Sequence, residues 1–261
     1  MKKTVSPRRS FIKLSAKGIG SLAFAPLTGS TQQPAAGNNA VDKKLHIVCV
    51  GAHPGDPEFG CGGTMAKYSD AGHQVTFLYL TRGEASDPKI SYSDMAALRT
   101  KEAAASCKIL NVTALFAAQV DGNTILDKAS NEEMAKLLLN QKPDIVFTQW
   151  PVDAHPDHQV AGLLVLTAWT KAERSFHLYF YEVNTGVETM GFTPTDYADI
   201  TNVQERKKQA MFAHKTQSPV ETYTSYFKPL EEFRGLEAGV KAAEAFIHFK
   251  AKDSRASIIG L

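Results

Sequence analysis

Three cysteines in 261 residues are too few, and odd in number, for a disulfide framework. None forms a CxxC pair that would hold a structural zinc. Cys49 lies inside an apolar run and reads as a small buried hydrophobe, and Cys61, ahead of Gly62-Gly63, reads as packing behind a glycine-rich loop. The fingerprint GxGxxG is missing, so a Rossmann-like topology would carry no dinucleotide claim here. Charge of one sign is missing too. The net charge is +2 and no long basic stripe occurs, so a nucleic-acid partner is not expected. The short Arg206-Lys207-Lys208 run follows Gln204 and Glu205 and reads as the solvated face of a helix. The N-terminal apolar stretch, Leu14 to Leu27, is too short and too rich in Gly and Ser to span a bilayer, so no integral span is expected after processing.

That stretch follows Ser6-Pro7-Arg8-Arg9-Ser10-Phe11-Ile12-Lys13, which resembles a twin-arginine export signal, and Ala23-Phe24-Ala25 offers a small-x-small cleavage site. Residues 1–35 are expected to hold the signal peptide and the start of a linker, 36–44 the rest of that linker, and 45–261 one domain. The expected location is the periplasm, or another exported one. Hydrophobic residues make up 43% of the chain, enough to bury a sizeable core.

Within the domain, strand and helix signals alternate. Leu45–Gly51, His73–Thr81, Thr113–Ala118, Asp144–Gln149 and His177–Val183 read as strands. Thr64–Ala71, Asp94–Leu110, Asn131–Asn140, Val160–Lys171, Gln204–His214 and Leu236–Phe249 read as helices. The alternation predicts an α/β fold: a single Rossmann-like domain with a mostly parallel sheet and helices on both faces.

Chemistry concentrates at the ends of two of these strands. Ala52-His53-Pro54-Gly55-Asp56 follows the first and His155-Pro156-Asp157-His158 follows the fourth. Carboxyl ends of parallel strands are where ligands bind in such sheets. Two imidazoles and a carboxylate are the donors of a catalytic zinc site, and His53, Asp56 and His158 supply them. This donor set does not strongly select its metal, so Fe²⁺ or Co²⁺ could replace Zn²⁺. Gly60, Gly62 and Gly63 read as letting the chain turn into the first helix, and Asp157 as able to orient one imidazole. Taken singly, His46, His73, His177, His214 and His248 read as ordinary polar residues, with His214 in a segment that could rim the site.

At these residues the chain resembles the PIG-L/LmbE-like zinc-dependent N-deacetylases. AHPGDPEFGCGGT at 52–64 is similar to their AHPDD-x-E-x-GCGGT signature, and HPDH at 155–158 to their second motif. Thr81-Arg82-Gly83-Glu84, Arg99-x-x-Glu102 and Gly239–Phe246 resemble their TxGE, R-x-x-E and GVxYAEAF segments. The resemblance implies removal of an N-acetyl group from an amino sugar such as a GlcNAc conjugate. It implies zinc on His53, Asp56 and His158, and a small-molecule or glycan substrate. His155 would polarise the amide carbonyl or stabilise the oxyanion, with Asp157 behind it. Glu84, Arg99 and Asp121 would line the substrate pocket, although Arg99 could instead pair with Glu102 and Asp121 could simply hold a turn. Many relatives assemble, so a homo-oligomer is compatible with it.

Two departures stand out. Gly55 replaces the family's general-base Asp, and Ala242 replaces a common Tyr. Loss of a general base typically costs ~10²–10⁴-fold in rate. Three readings follow: another carboxylate acts as base (Glu58, Asp153 or Asp157, with Glu58 nearest in sequence), attack proceeds with little base assistance, or the protein binds metal and glycan without turnover.

Overall fold

The computed structural model describes residues 43–250. The export signal and most of the linker lie outside the described residues. One seven-stranded sheet runs in the order β3-β2-β1-β4-β5-β7-β6. Its strands are β1 (His46–Gly51), β2 (Gln74–Tyr79), β3 (Thr113–Phe116), β4 (Ile145–Gln149), β5 (His177–Tyr181), β6 (Asp196–Asp199) and β7 (Ala243–Phe249). The first five pair in parallel, while β7 lies antiparallel between β5 and β6.

The helices are α1 (Asp56–Asp70), α2 (Tyr92–Leu110), α3 (Lys128–Asn140), α4 (Pro156–Lys171), α5 (Gln204–Phe212), the short α6 (Pro219–Thr222) and α7 (Lys228–Ala238). A π-helical turn, Tyr223–Phe227, joins α6 to α7. No helix among the described residues is long and apolar enough to cross a membrane.

Both faces of the sheet are covered, so the central strands are mostly apolar rather than alternating with polar residues. The period of two appears instead in where side chains pack. Ile47 and Cys49 of β1 join Tyr68, Phe77, Phe147 and Tyr181 on one face, whereas Val48 and Val50 join Leu78, Leu164, Val165 and Phe180 on the other. Strand β1 has β2 on one side and β4 on the other, which makes its carboxyl end the point where the winding reverses.

Most helix boundaries fall within a few residues of the sequence expectation, and two segments depart further. Helix α1 begins at Asp56, not Thr64, and Gly60, Gly62 and Gly63 lie inside it rather than in a turn. Gly costs a helix ~1 kcal/mol relative to Ala, which is why three of them read as loop. Close packing explains their presence. A Cβ at Gly63 would sit 2.6 Å from Ile200, and one at Gly60 would press into the Tyr181 ring.

The segment expected to be a helix to Phe249 is α7 followed by strand β7. Gly239, at φ 73°, ends α7. Ala242, Ala243 and Ala245 favour a helix locally, but pairing on both sides with β5 and β6 overrides that preference. Ala242 is buried and does not line the cavity described below.

Lys207 is a third correction. It is 1% exposed, not solvated, and its Nζ lies 2.8 Å from both Glu231 and Glu244. Glu244 also accepts the Gly63 and Thr64 N–H groups and the Thr64 hydroxyl, so β7 clamps α1 through one carboxylate.

Candidate metal centre

The carboxyl ends of β1, β3, β4 and β5 open onto a cavity of about 390 Å³. His53 leaves β1 and Asp56 starts α1. The Asp56 Oδ2 accepts the His53 N–H at 2.7 Å and lies 3.2 Å from His53 Nδ1 and 3.5 Å from His158 Nε2. Tetrahedral zinc with bonds of ~2.0–2.1 Å would separate its ligands by about 3.3 Å. The His53–Asp56 and His158–Asp56 separations bracket that value, and one ligand atom from each of the three residues falls within a common 4.8 Å.

The surroundings also suit a cation. On the far side of His53, Nε2 lies 3.1 Å from both Asp157 Oδ2 and Asp121 Oδ1. Behind His158, Nδ1 lies 3.2 Å from Asp153 Oδ1, an ion-pair distance without hydrogen-bond alignment. Burial alone would lower both imidazoles, but these carboxylates outweigh it: Asp56, Asp121 and Asp157 hold His53 well above its ordinary value, and Asp56 and Asp153 raise His158. Asp56 and Asp157 are in turn held well below the usual carboxylate range by the imidazoles, against the cost of burial. Without a cation, these carboxylates favour protons on the two imidazoles. A divalent ion would displace those protons.

A second trio, His53, His155 and Asp157, is also close enough to share an ion. Its Asp157 is already engaged: Oδ2 accepts Gly122 N–H at 2.7 Å and Oδ1 the Thr124 hydroxyl at 2.6 Å. The Asp157 carboxylate therefore orients His53, while the Asp157 backbone N–H holds the His155 ring that this residue was expected to stand behind. We expect Asp157→Asn to weaken metal binding ~10–100-fold while leaving the fold intact, measured by chelator competition.

His155 is the N-cap of α4, where Nδ1 accepts the Asp157 N–H at 3.3 Å. In the neutral ring the proton is then on Nε2. Burial, together with the His158 and His53 charges, lowers His155 below its ordinary value and favours that neutral form. His155 lines the cavity as a hydrogen-bond donor.

Arg99 and Asp121 line the cavity as well. Arg99 donates to Gly83 O and to Pro54 O at 2.7 Å, and Glu102 instead accepts the N–H and hydroxyl of Thr216. Asp121 Oδ2 accepts the Ala85 N–H.

Glu84 and Glu58 do not line the cavity. Glu84 closes its own turn by accepting the Arg82 N–H. Glu58 is fully buried, accepting from Tyr79 Oη at 2.8 Å and the Gly55 N–H at 3.2 Å, with His214 Nε2 at 2.9 Å. It caps α1 and cannot reach a substrate. His214 is buried with it, and Gln217 from the same segment reaches the cavity instead.

Gly55 has φ 110°, and a Cβ there would meet the Gln217 amide at 2.8 Å. That amide donates to Pro54 O. Sequence reading missed Gln217, Asn184 and Glu188, all of which line the cavity. Asn184 and Glu188 belong to a loop and Gln217 to a short 3₁₀ turn, Lys215–Gln217, none with a recognisable spacing.

A doubly wound sheet with two imidazoles and a carboxylate at its carboxyl edge is the frame of a metal-assisted hydrolase. Residues 48–169 match the family model described as PIG-L, GlcNAc-PI de-N-acetylase. The diacetylchitobiose deacetylase of Thermococcus kodakarensis is 30% identical over 217 residues, covering 76% of this chain and 80% of that protein. A probable N-acetyl-α-D-glucosaminyl L-malate deacetylase 2 of Bacillus subtilis is 26% identical, covering 67% and 84%. The solved N,N'-diacetylchitobiose deacetylase of Pyrococcus horikoshii superposes with a TM-score of 0.70 at 24% identity, covering 81% and 86%, a likeness of fold. The chain belongs to the PIG-L family of de-N-acetylases, amide hydrolases acting on a C–N bond.

Proposed function

We propose that the protein removes the N-acetyl group from an N-acetylated amino sugar or glycoconjugate, using a zinc ion held by His53, Asp56 and His158. The convergence of those three side chains on the wall of a cavity large enough for a sugar ring carries this reading. Names of relatives that act on diacetylchitobiose and on a GlcNAc–malate conjugate support the substrate class. A divalent cation, when bound, supplies Lewis-acid polarisation of the scissile carbonyl and of water.

The chain's own residues do the rest. His155 donates Nε2–H to the acetamide oxygen as it gains negative charge. Asp157 and Asp121 fix the His53 ring. Arg99, held by two backbone carbonyls, presents its guanidinium to substrate hydroxyls. Water adds to the acyl carbon, the C–N bond breaks, and acetate and a free amine leave. The twin-arginine pattern favours envelope or imported glycans as the source of substrate.

The test is acetate release from a panel of N-acetyl amino sugars by the zinc-loaded protein. The expected result is equimolar acetate and amine, lost on chelation and restored by metal. Gly55, which offers no proton acceptor, favours a second reading, a metal- and glycan-binding protein without turnover. Sugar binding with no acetate released would establish it.

A further inference from the structure

Hydrolysis needs a proton acceptor beside the scissile bond, and position 55 supplies none. The carboxylates lining the cavity are Asp56, Asp121 and Glu188. Asp56 belongs to the ligand trio. Asp121 has one oxygen on His53 and the other on the Ala85 N–H. The acids behind the imidazoles are committed as well. Asp157 is held through both oxygens, and Asp153 accepts the His155 N–H on Oδ1 and the Thr189 hydroxyl on Oδ2.

Glu188 differs. Its only side-chain partner among the described residues is Asn184, whose Nδ2 donates to Oε2 at 3.1 Å, so Oε1 has none. Its backbone is nonetheless fixed. The Glu188 N–H donates to Asn184 O and the Glu188 carbonyl accepts the Ala154 N–H at 2.8 Å. The neighbouring Thr189 forms a β-bridge to Asp153. The loop after β5 is thereby tied to the segment that carries His155 and His158.

We propose that Glu188 is the proton acceptor of this enzyme, filling from the loop after β5 the role that Gly55 leaves open. The proposal rests on the hydrolase reading above. One O–H bond of the attacking water breaks and its proton passes to Glu188 Oε1 while the new C–O bond forms at the acyl carbon. When the C–N bond breaks, Glu188 returns that proton to the amine nitrogen, so acetic acid and amine leave and the carboxylate is regenerated.

The environment suits the task. Burial raises the Glu188 carboxyl above its ordinary value. His158 and the Asn184 hydrogen bond oppose that rise, while Asp56 and Asp153 add to it. A base of raised pKa works in its ionised form. Activity should therefore fall as pH drops through the Glu188 pKa, giving an acid limb.

The experiment compares zinc-loaded wild type with Glu188→Gln, Glu188→Asp and Glu188→Ala. Glu188→Gln should lose ~10²–10³-fold in kcat with KM changed less than about threefold, and the acid limb should disappear. Metal content and calorimetric binding of the N-acetyl sugar should stay at wild-type levels. Glu188→Asp should retain part of the rate, and added formate should partly rescue Glu188→Ala, which a merely structural residue would not permit. Infrared difference titration should lose one carboxyl signal in Glu188→Gln. A Glu188→Gln enzyme within a few-fold of wild-type kcat would overturn the proposal and leave the hydrolase reading standing. A wild type that releases no acetate would overturn both.

Discussion

His158→Ala should lose bound metal, from about one ion per chain to background, and acetate release should fall with it to the uncatalysed level. The imidazole is 3% exposed and closes the trio opposite Asp56. Two ligands, His53 and Asp56, remain without it, and neither His155 nor Asp153 is free to replace it. His155 is pinned by the Asp157 N–H, and Asp153 by His155 N–H and Thr189. The fold should survive, because truncation opens onto the cavity rather than the sheet core. Metal analysis and acetate release, with circular dichroism as control, check this. Retained metal with lost turnover would shift the ligands to the His53, His155 and Asp157 trio.

Lys207→Met should be the most damaging single change to stability. Lys207, Glu231 and Glu244 are nearly fully buried, and one ammonium serves both carboxylates at 2.8 Å. Those carboxylates hold Lys207 charged, raising its pKa despite burial. Methionine matches the stem of the side chain but strands two buried anions, a loss of ~3–5 kcal/mol. For a domain of this size each kcal/mol shifts Tm by roughly 2–4 °C, so Tm should drop by on the order of 10 °C. Replacing all three residues with apolar ones should recover much of the loss. Calorimetry of the single and triple variants separates a stranded charge from a simple packing defect.

These residues also show how much the sequence discloses. The five parallel strands, their order along the chain and the clustering of His53, Asp56 and His158 are legible, because a continuous apolar run that ends in His and Asp marks a buried strand with candidate ligands at its carboxyl end. The glycines of α1 read as loop, since what requires them is a neighbouring Tyr181 or Ile200 more than a hundred residues away. Strand β7 reads as helix for the same reason: its alanines state a local preference, and its partners state the outcome. Lys207 looks solvated among charged neighbours because its two acids lie 24 and 37 residues further on. Glu58 is attractive as a base only by proximity in sequence, and Glu188 lies in a segment with no pattern of its own.

Cys49 and Cys61 are free thiols with sulfurs 3.4 Å apart beneath α1, and neither is reached by solvent. Burial raises both, so thiolate, the form that reacts with oxidants, is scarce in the native protein. In an unfolded chain the same two sulfurs are solvated and only twelve residues apart. Their oxidation state therefore records a sequence of events. Chain that folds before meeting an oxidant keeps both hydrogens, and chain that meets the oxidant first can close a bridge between them. A mass difference of about two hydrogens between the two populations would date folding against exposure, molecule by molecule.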